Sequence, residues 1–318
     1  MDSGKTVLVL AQGDDPQLAM LKEVPHVVGG EAAAFAEAAK DAMAILNWSG
    51  SRELLRAVFA TCPEVRWVHS RSAGLDNVLF PELVESDVTL TNGRGVFSPA
   101  LGEFALAAIL YFAKDFRRMI RNQSAELWQP FDAEEIAGKT VGIVGYGDIG
   151  QAVATRVRAM GMHVLAMKRH VPESPDPMVE EFYKPDALRS MLASCDYIVV
   201  AAPLTEETRH MIGDPEFAAM KATAVVINVG RGPVIDETAL VRALTEKRIK
   251  GAGLDVFEQE PLPARHALYK LENVLLCPHC ADNTADWKDL AMSFFLEQYA
   301  RFEKDEPLKN VVNKRQGY

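Results

Sequence analysis

The sequence predicts an α/β protein built from two doubly wound parallel-sheet domains. Three observations carry that prediction. Short β-branched runs alternate with helix-like stretches, the pattern of parallel strands covered by helices on both faces. The candidate strands are too numerous for one typical sheet of this kind. A long apolar stretch near residue 100 separates the early strands from a strand that opens a fresh α/β unit at Thr140.

In chain order, the first strand candidates cover residues 6–11, 42–46, 65–70 and 88–92. Helix-like stretches at 31–40 and 51–60 lie between them. The first half closes near Ser98-Pro99, and residues 100–121 read as one helix. Ser98 suits its N-cap and Pro99 its first turn. The second set of strands covers 140–145, 163–167, 197–202, 224–229, 253–256 and 274–277, with helices at 149–160 and 236–246. Residues 172–177, Pro-Glu-Ser-Pro-Asp-Pro, form a loop. The tail from 284 to about 304 is helical and is expected to return to the first domain. Trp48-Ser49-Gly50, after an early strand, is a candidate lining of the ligand cleft.

Composition narrows the function classes. The 318 residues are 48% hydrophobic and 25% charged, the balance of a globular protein with room for two cores. The net charge of -10 and the lack of a basic stripe argue against nucleic acid and anionic membranes as partners. An anionic substrate must be caught by local cations. No run of about 18 apolar residues suggests a membrane span. Four cysteines fit free thiols in a reducing compartment. The N-terminus lacks the marks of a signal or transit peptide, so the cytoplasm is the expected location.

Val141-Gly142-Ile143-Val144-Gly145-Tyr146-Gly147-Asp148-Ile149-Gly150 is a strand feeding G-x-G-x-x-G and then a helix. Gly145 permits the tight turn, Gly147 lets a pyrophosphate approach the backbone, and Gly150 lets helix and strand pack closely. The pyrophosphate would sit at the N-terminus of the helix over 149–160, on its free N–H groups, beside Asp148 and Ile149. A Rossmann-type dinucleotide site follows from this context. The next strand ends in Lys168-Arg169-His170. An NAD site usually has an acid there for the ribose 2′-OH. Cations suit a 2′-phosphate, so NADP(H) is the expected cofactor, with NAD(H) open if Lys168 and Arg169 are only solvated surface charges.

Three further segments follow strands of the second half: Asn228-Val229-Gly230-Arg231-Gly232, Gly253–Pro263 and Cys277-Pro278-His279-Cys280. Ligands in open α/β sheets bind at the carboxyl ends of strands, so Arg231, the acids Glu258 and Glu260, and His279 are expected in one crevice with the nicotinamide. Cys277 and Cys280 form C-x-x-C. No second ligand pair lies at metal spacing, so they are expected to be free thiols and no metal is expected.

These segments, together with Ser72-Ala73-Gly74-Leu75-Asp76-Asn77 and the glycine motif, resemble the D-isomer-specific 2-hydroxyacid dehydrogenases over nearly the whole chain. The resemblance implies a Rossmann-type nucleotide domain, 99–284, inserted into a flavodoxin-like substrate domain, 1–98 and 285–318. It also implies a homodimer formed largely through the nucleotide domain, including the helix after Pro99. By the same resemblance, Arg231 binds the substrate carboxylate and polarises its 2-oxo group, and His279 is the acid/base. Glu260 is the acid paired with that histidine, with Glu258 the competing candidate. Asp255 holds the nicotinamide carboxamide. Ala73 and Gly74 offer backbone N–H groups to the carboxylate. Pro203, Thr208 and Val229 fall at cofactor-binding positions.

The expected reaction is hydride transfer between NADP(H) and a small 2-oxo acid, giving a D-2-hydroxy acid, as in glyoxylate/hydroxypyruvate reductases. Formate-specific relatives carry Gln where this chain has Glu260, which argues against formate. Ala73 brings no cation for a phosphonate. The regulatory C-terminal domain of many phosphoglycerate dehydrogenases is not expected here. An NAD-dependent phosphoglycerate dehydrogenase-like enzyme would need further cations, for which Arg71 is the nearby candidate. The rival from another class is a non-catalytic, corepressor-like nucleotide sensor.

Overall fold

A computed structural model describes residues 5–317 of the chain. The first strands and helices are β1 (Val7–Leu10), β2 (His26–Gly29), β3 (Ala44–Asn47), α1 (Arg52–Phe59), β4 (Trp67–Ser70), α2 (Pro81–Glu85) and β5 (Thr89–Asn92). They are followed by α3 (Ser98–Ala113), α4 (Phe116–Ser124), β6 (Thr140–Val144), α5 (Asp148–Ala159), β7 (His163–Met167) and β8 (Glu181–Tyr183). The chain continues through α6 (Leu188–Ser194), β9 (Tyr197–Val200), α7 (Asp214–Ala219), β10 (Val225–Asn228), α8 (Glu237–Thr245), β11 (Gly251–Leu254), β12 (Val274–Leu276) and α9 (Trp287–Glu303).

The chain divides into two units, one of Met1–Phe97 with Thr284–Tyr318 and one of Ser98–Asn283. The first holds a five-stranded parallel sheet ordered β2-β1-β3-β4-β5. β1 and the first three residues of β3 are apolar and buried, as helix-covered parallel strands are, while β4 and β5 also bury His69, Ser70, Thr91 and Asn92. α9 returns to this unit because its aromatic side chains need the sheet. Phe295 stacks on Trp67 with ring centroids 5.5 Å apart, and burying such a ring contributes about 2–3 kcal/mol. Beyond α9, the Val312 N–H donates to the Leu90 carbonyl and ties the tail to β5.

The second unit holds a seven-stranded parallel sheet ordered β12-β11-β10-β9-β6-β7-β8. From β6 the chain runs outward through β7 and β8, then returns to β9 on the opposite side of β6. That reversal makes β6–β9 the topological switch point, where ligands bind in doubly wound sheets. Among the described residues, no helix is long and apolar enough to cross a membrane.

Several expected elements differ. The single helix over 100–121 is two, because Asp115 takes a left-handed φ of 49° and its side chain accepts the Arg118 N–H, capping α4. α3 starts at Ser98 itself instead of being capped by it. The alanine-rich stretch 31–40 is two 3-10 turns, Ala32–Phe35 and Ala38–Lys40. Helix propensity there is overridden by packing, which buries Phe35 and Ala39, and Glu31 supplies no side-chain cap. β2 and the three-residue edge strand β8 are additional, and β11 begins two residues before the expected strand.

Candidate active site

The turn from β6 into α5 has the form that its glycines require. Gly145 has φ +98°, and a Cβ there would lie 2.5 Å from the Ala202 nitrogen. A side chain at Gly150 would meet the Gly145 carbonyl oxygen at 2.5 Å, so helix and strand approach only because it is glycine. Gly147 caps α5, and nothing lies within 4 Å of its Cβ position. Asp148 and Ile149 form the first turn, where helix N–H groups have no intrahelical acceptor. An open, anion-favouring cradle at the switch point fits a dinucleotide pyrophosphate.

Lys168 and Arg169 leave the end of β7 in that same unit. The Lys168 N–H donates to the Tyr183 carbonyl, and the Arg169 guanidinium pairs with Glu207. Glu207 belongs to the loop after β9, which Thr208 knits together. Its hydroxyl donates to the Pro203 carbonyl at 2.6 Å and accepts the Thr205 N–H at 2.8 Å. Val229 follows β10 and donates its N–H to Val200 at 3.0 Å. Glu207 escaped the sequence reading, since it stands 38 residues along the chain from its cation.

Arg231, Glu260 and His279 come from three segments that follow β10, β11 and β12. Buried Asn228 shapes the first by donating to the Arg231 carbonyl and accepting the Gly230 N–H, each at 3.1 Å. The Arg231 guanidinium also donates to the Gly230 carbonyl at 2.8 Å. Gly232 brings the first segment against the second, because a Cβ there would overlap the Phe257 backbone at 1.9 Å. On the second segment, Glu260 Oε1 accepts the Phe257 N–H at 2.9 Å, and Oε2 lies 2.6 Å from His279 Nδ1. Glu258 turns elsewhere, to His210 Nε2 at 2.7 Å and the Glu237 N–H at 3.2 Å. Asn228 and Gly232 are positioning residues to which the sequence reading gave no role, although both lie inside the arginine motif.

His279 has a left-handed φ of 50°. Its N–H donates to the carbonyls of Asp255, at 2.9 Å, and Cys277, at 3.0 Å. Buried Asp255 fastens the loop again, its Oδ1 accepting the N–H groups of Cys280 and Ala281 at 2.9 and 3.0 Å.

The electrostatics follow from this packing. The hydrogen bond to Glu260 raises the His279 pKa, against burial and the nearby Arg231 charge, and the Glu260 and Asp255 charges add to the rise. Burial opposes ionisation of Glu260. Its hydrogen bonds from His279 and the Phe257 N–H, with the charges of His279 and Arg231, outweigh burial and lower its pKa. An ionised carboxylate only accepts, so His279 Nδ1 carries a hydrogen and Nε2 holds the exchangeable proton. Burial first, then the Asp255 charge, raises the pKa of Asp282.

In the first unit, Ala73 and Gly74 lie on the loop after β4. Asn92 donates to the Ala73 carbonyl at 2.6 Å, and the Gly93 N–H donates to Ser72 at 3.2 Å. Among the hydrogen bonds of the described residues, neither the Ala73 nor the Gly74 N–H is a donor. The Arg71 guanidinium stands 5.1 Å from the Trp48 ring and 5.0 Å from the Trp287 ring. Trp48 is 1% exposed and donates its indole N–H to Asp15, so it is an internal support and not the lining its position suggested.

The NAD binding domain model of the D-isomer specific 2-hydroxyacid dehydrogenases matches residues 106–281. A glyoxylate reductase of Thermococcus gammatolerans is 38% identical over 270 residues, covering 81% of this chain and 79% of that one. A solved NADPH-dependent glyoxylate/hydroxypyruvate reductase from Sinorhizobium meliloti, in complex with NADP and sulfate, is similar at TM-score 0.84 and 27% identity, over 99% of this chain and 100% of that one. A D-isomer specific 2-hydroxyacid dehydrogenase from Xanthobacter autotrophicus, in complex with NADPH and MES, gives TM-score 0.83 and 29% identity over the same shares. Matches of this extent, spanning the glycine turn and the segments that carry Arg231, Glu260 and His279, mean that the chain belongs to the D-isomer specific 2-hydroxyacid dehydrogenase family and is an NAD(P)-dependent dehydrogenase.

Proposed function

We propose that the enzyme reduces small 2-oxo acids, glyoxylate or hydroxypyruvate, to D-2-hydroxy acids, with NADPH preferred over NADH. The observation that carries the chemistry is the His279–Glu260 pair at 2.6 Å, with Arg231 close enough for its charge to act on both. The choice of substrate is supported by what the similar glyoxylate reductases act on. The choice of cofactor is supported by Lys168 and Arg169 at the end of β7, where an NAD site places an acid.

The Gly145–Gly150 turn would hold the dinucleotide, whose nicotinamide would supply the hydride. Arg231 grips the substrate carboxylate and draws charge from the 2-oxo group, a task suited to a planar, permanently charged fork. His279 gives its Nε2 proton to the oxygen that becomes the 2-hydroxyl, and in oxidation takes it back. Glu260 holds the ring by Nδ1 and stabilises the imidazolium before transfer. Asp255 orients the carboxamide and fixes the His279 loop, and Pro203, Thr208 and Val229 support the cofactor. In the first unit, which serves as the substrate domain, the Ala73 and Gly74 N–H groups form a cradle for the carboxylate.

The functional form is a homodimer. Phe116, Met119 and Ile120 of α4, with Leu127 and the 98% exposed Trp128, present apolar surface that a second copy would cover. Sedimentation velocity tests this, and a monomer at micromolar concentration refutes it.

The deciding experiment follows loss of nicotinamide absorbance with glyoxylate and hydroxypyruvate, using NADPH and NADH in parallel. Fast oxidation of NADPH is expected. Preference for NADH overturns the cofactor assignment, and no oxidation of either overturns the substrate assignment in favour of a bulkier 2-oxo acid or a nucleotide sensor.

A further inference from the structure

The one chemical motif that this reaction leaves unused brackets its proton carrier. Cys277 and Cys280 sit on either side of Pro278-His279 with their Sγ atoms 3.5 Å apart. A disulfide bond is about 2.05 Å long, so closing the gap must draw the two residues toward each other. Both thiols are partly exposed, whereas Cys62 and Cys195 are buried, one in each unit. Among the described residues, no group of three or more His, Cys, Asp or Glu side chains is arranged to hold a metal ion.

The loop between the thiols is tightly constrained. His279 holds its left-handed backbone through N–H bonds to Asp255 and Cys277. The Cys280 N–H and the Cys277 thiol both engage the Asp255 side chain. Drawing the two sulfurs together shortens the arch on which the imidazole stands. The bond from Nδ1 to Glu260 is short and directional, so a small displacement of that arch breaks it.

We propose that Cys277 and Cys280 form a reversible disulfide that displaces His279 from Glu260 and switches the enzyme off. The effect on activity rests on the reading of His279 as the proton carrier. The oxidant is a low-molecular-weight disulfide. Cys280, as thiolate, attacks one of its sulfurs; the oxidant's S–S bond breaks, one small thiolate leaves, and a mixed disulfide remains on Cys280. Cys277 then loses its proton to solvent and attacks the Cys280 sulfur, expelling the second small thiolate. The two expelled thiolates take up the two protons released by the protein thiols. The protein pair has then lost two electrons, and one small disulfide has become two thiols. Burial first, and then the bond to Asp255, raises the Cys277 pKa, which leaves the opening attack to Cys280.

The test exposes the reduced full-length enzyme to oxidised glutathione and maps the tryptic peptide 271–288, which contains both cysteines and His279. Expected is a peptide lighter by two hydrogens that resists alkylation. Turnover should fall at least about tenfold in step with it, mainly in kcat, and return with dithiothreitol. Diethylpyrocarbonate labelling of His279 in the same peptide should change in rate at least about threefold, a readout that needs no turnover. Cys280→Ser, compared with its own reduced state, should lose the oxidant response, whereas Cys277→Ser should form no lighter peptide and stop at the glutathione adduct on Cys280. In the wild-type enzyme, failure of the lighter peptide to form, or a stable glutathione adduct in its place, overturns the proposal. So does a disulfide that leaves both turnover and His279 labelling unchanged. A reduced enzyme inactive on every 2-oxo acid defeats the proposed reaction alone, because peptide mass and His279 labelling still decide the switch.

Discussion

Replacing Glu260 with Gln keeps the side chain's shape and removes its charge and one acceptor. Glu260 now satisfies two donors, the Phe257 N–H at 2.9 Å and His279 Nδ1 at 2.6 Å, with one oxygen each. Glutamine has a single carbonyl oxygen, so one donor must face an NH2 group. A hydrogen bond to a charged partner is worth about 1.5–3 kcal/mol. The His279 and Glu260 side chains are 44% and 34% exposed, and solvent screening brings the net value to about 1–2 kcal/mol. Glu260→Gln should therefore lower kcat/KM for glyoxylate reduction roughly 5- to 30-fold near neutral pH.

The pH profile gives the stricter test. The proposed reduction uses protonated His279, whose pKa Glu260 raises. Activity is thus full at low pH and is lost as pH rises through the raised value. Without the carboxylate that loss must begin at lower pH, and oxidation, which uses the neutral ring, must extend to lower pH as well. The assay is kcat/KM against pH in both directions, with an NADPH fluorescence titration to show that the nucleotide turn is intact. An unmoved limb, or one displaced upward, would refute the assigned pairing.

Arg231→Lys should cost at least about 100-fold in kcat/KM while leaving NADPH affinity unchanged, because an ammonium cannot bind a carboxylate and a carbonyl as a planar fork does; steady-state kinetics beside cofactor titration separates the two. Arg169→Ala should weaken NADPH binding by roughly 10- to 100-fold and NADH binding little, whereas Glu207→Gln should tighten NADPH a few-fold; equal effects on both cofactors would refute a 2′-phosphate contact. Buried His69, with Nδ1 at 2.7 Å from the Thr91 hydroxyl, has its pKa pushed down to about 3 by desolvation. The unfolded value is about 6.5, so the unfolded chain takes the proton first. The stability this group contributes is full above that value and is lost as pH falls toward 3, at about 1.4 kcal/mol per pH unit within the window. Denaturant midpoints measured down this range should fall less steeply in His69→Asn.

Local constraints were readable in the sequence and distant charge partners were not. Gly145 and Gly150 announce the cofactor turn because no other residue fits the backbone they occupy. Strands such as β1 and β9 announce themselves because parallel strands buried on both faces favour near-continuous apolar runs. The 3-10 turns at 32–40 and the break at Asp115 hid inside good helix sequence, since burial of Phe35 and a side-chain cap decided them. Glu258 and Glu260 were hard to tell apart because both follow the same strand. Only three-dimensional placement sends one to His210 and the other to His279.

The same difficulty bears on cofactor choice. The sequence shows cations at Lys168 and Arg169, and the natural inference is a site waiting for a 2′-phosphate. Arg169 is already paired with Glu207, so a phosphate must displace a carboxylate to gain it. NADPH preference then depends on an exchange of partners, and part of what the phosphate gains is offset by the pair it breaks. NADH needs no such exchange and can leave the pair intact. A carboxylate at Glu207 therefore narrows the difference expected between the two cofactors. Removing that carboxylate should widen the difference, which is why Glu207→Gln is expected to act on NADPH alone.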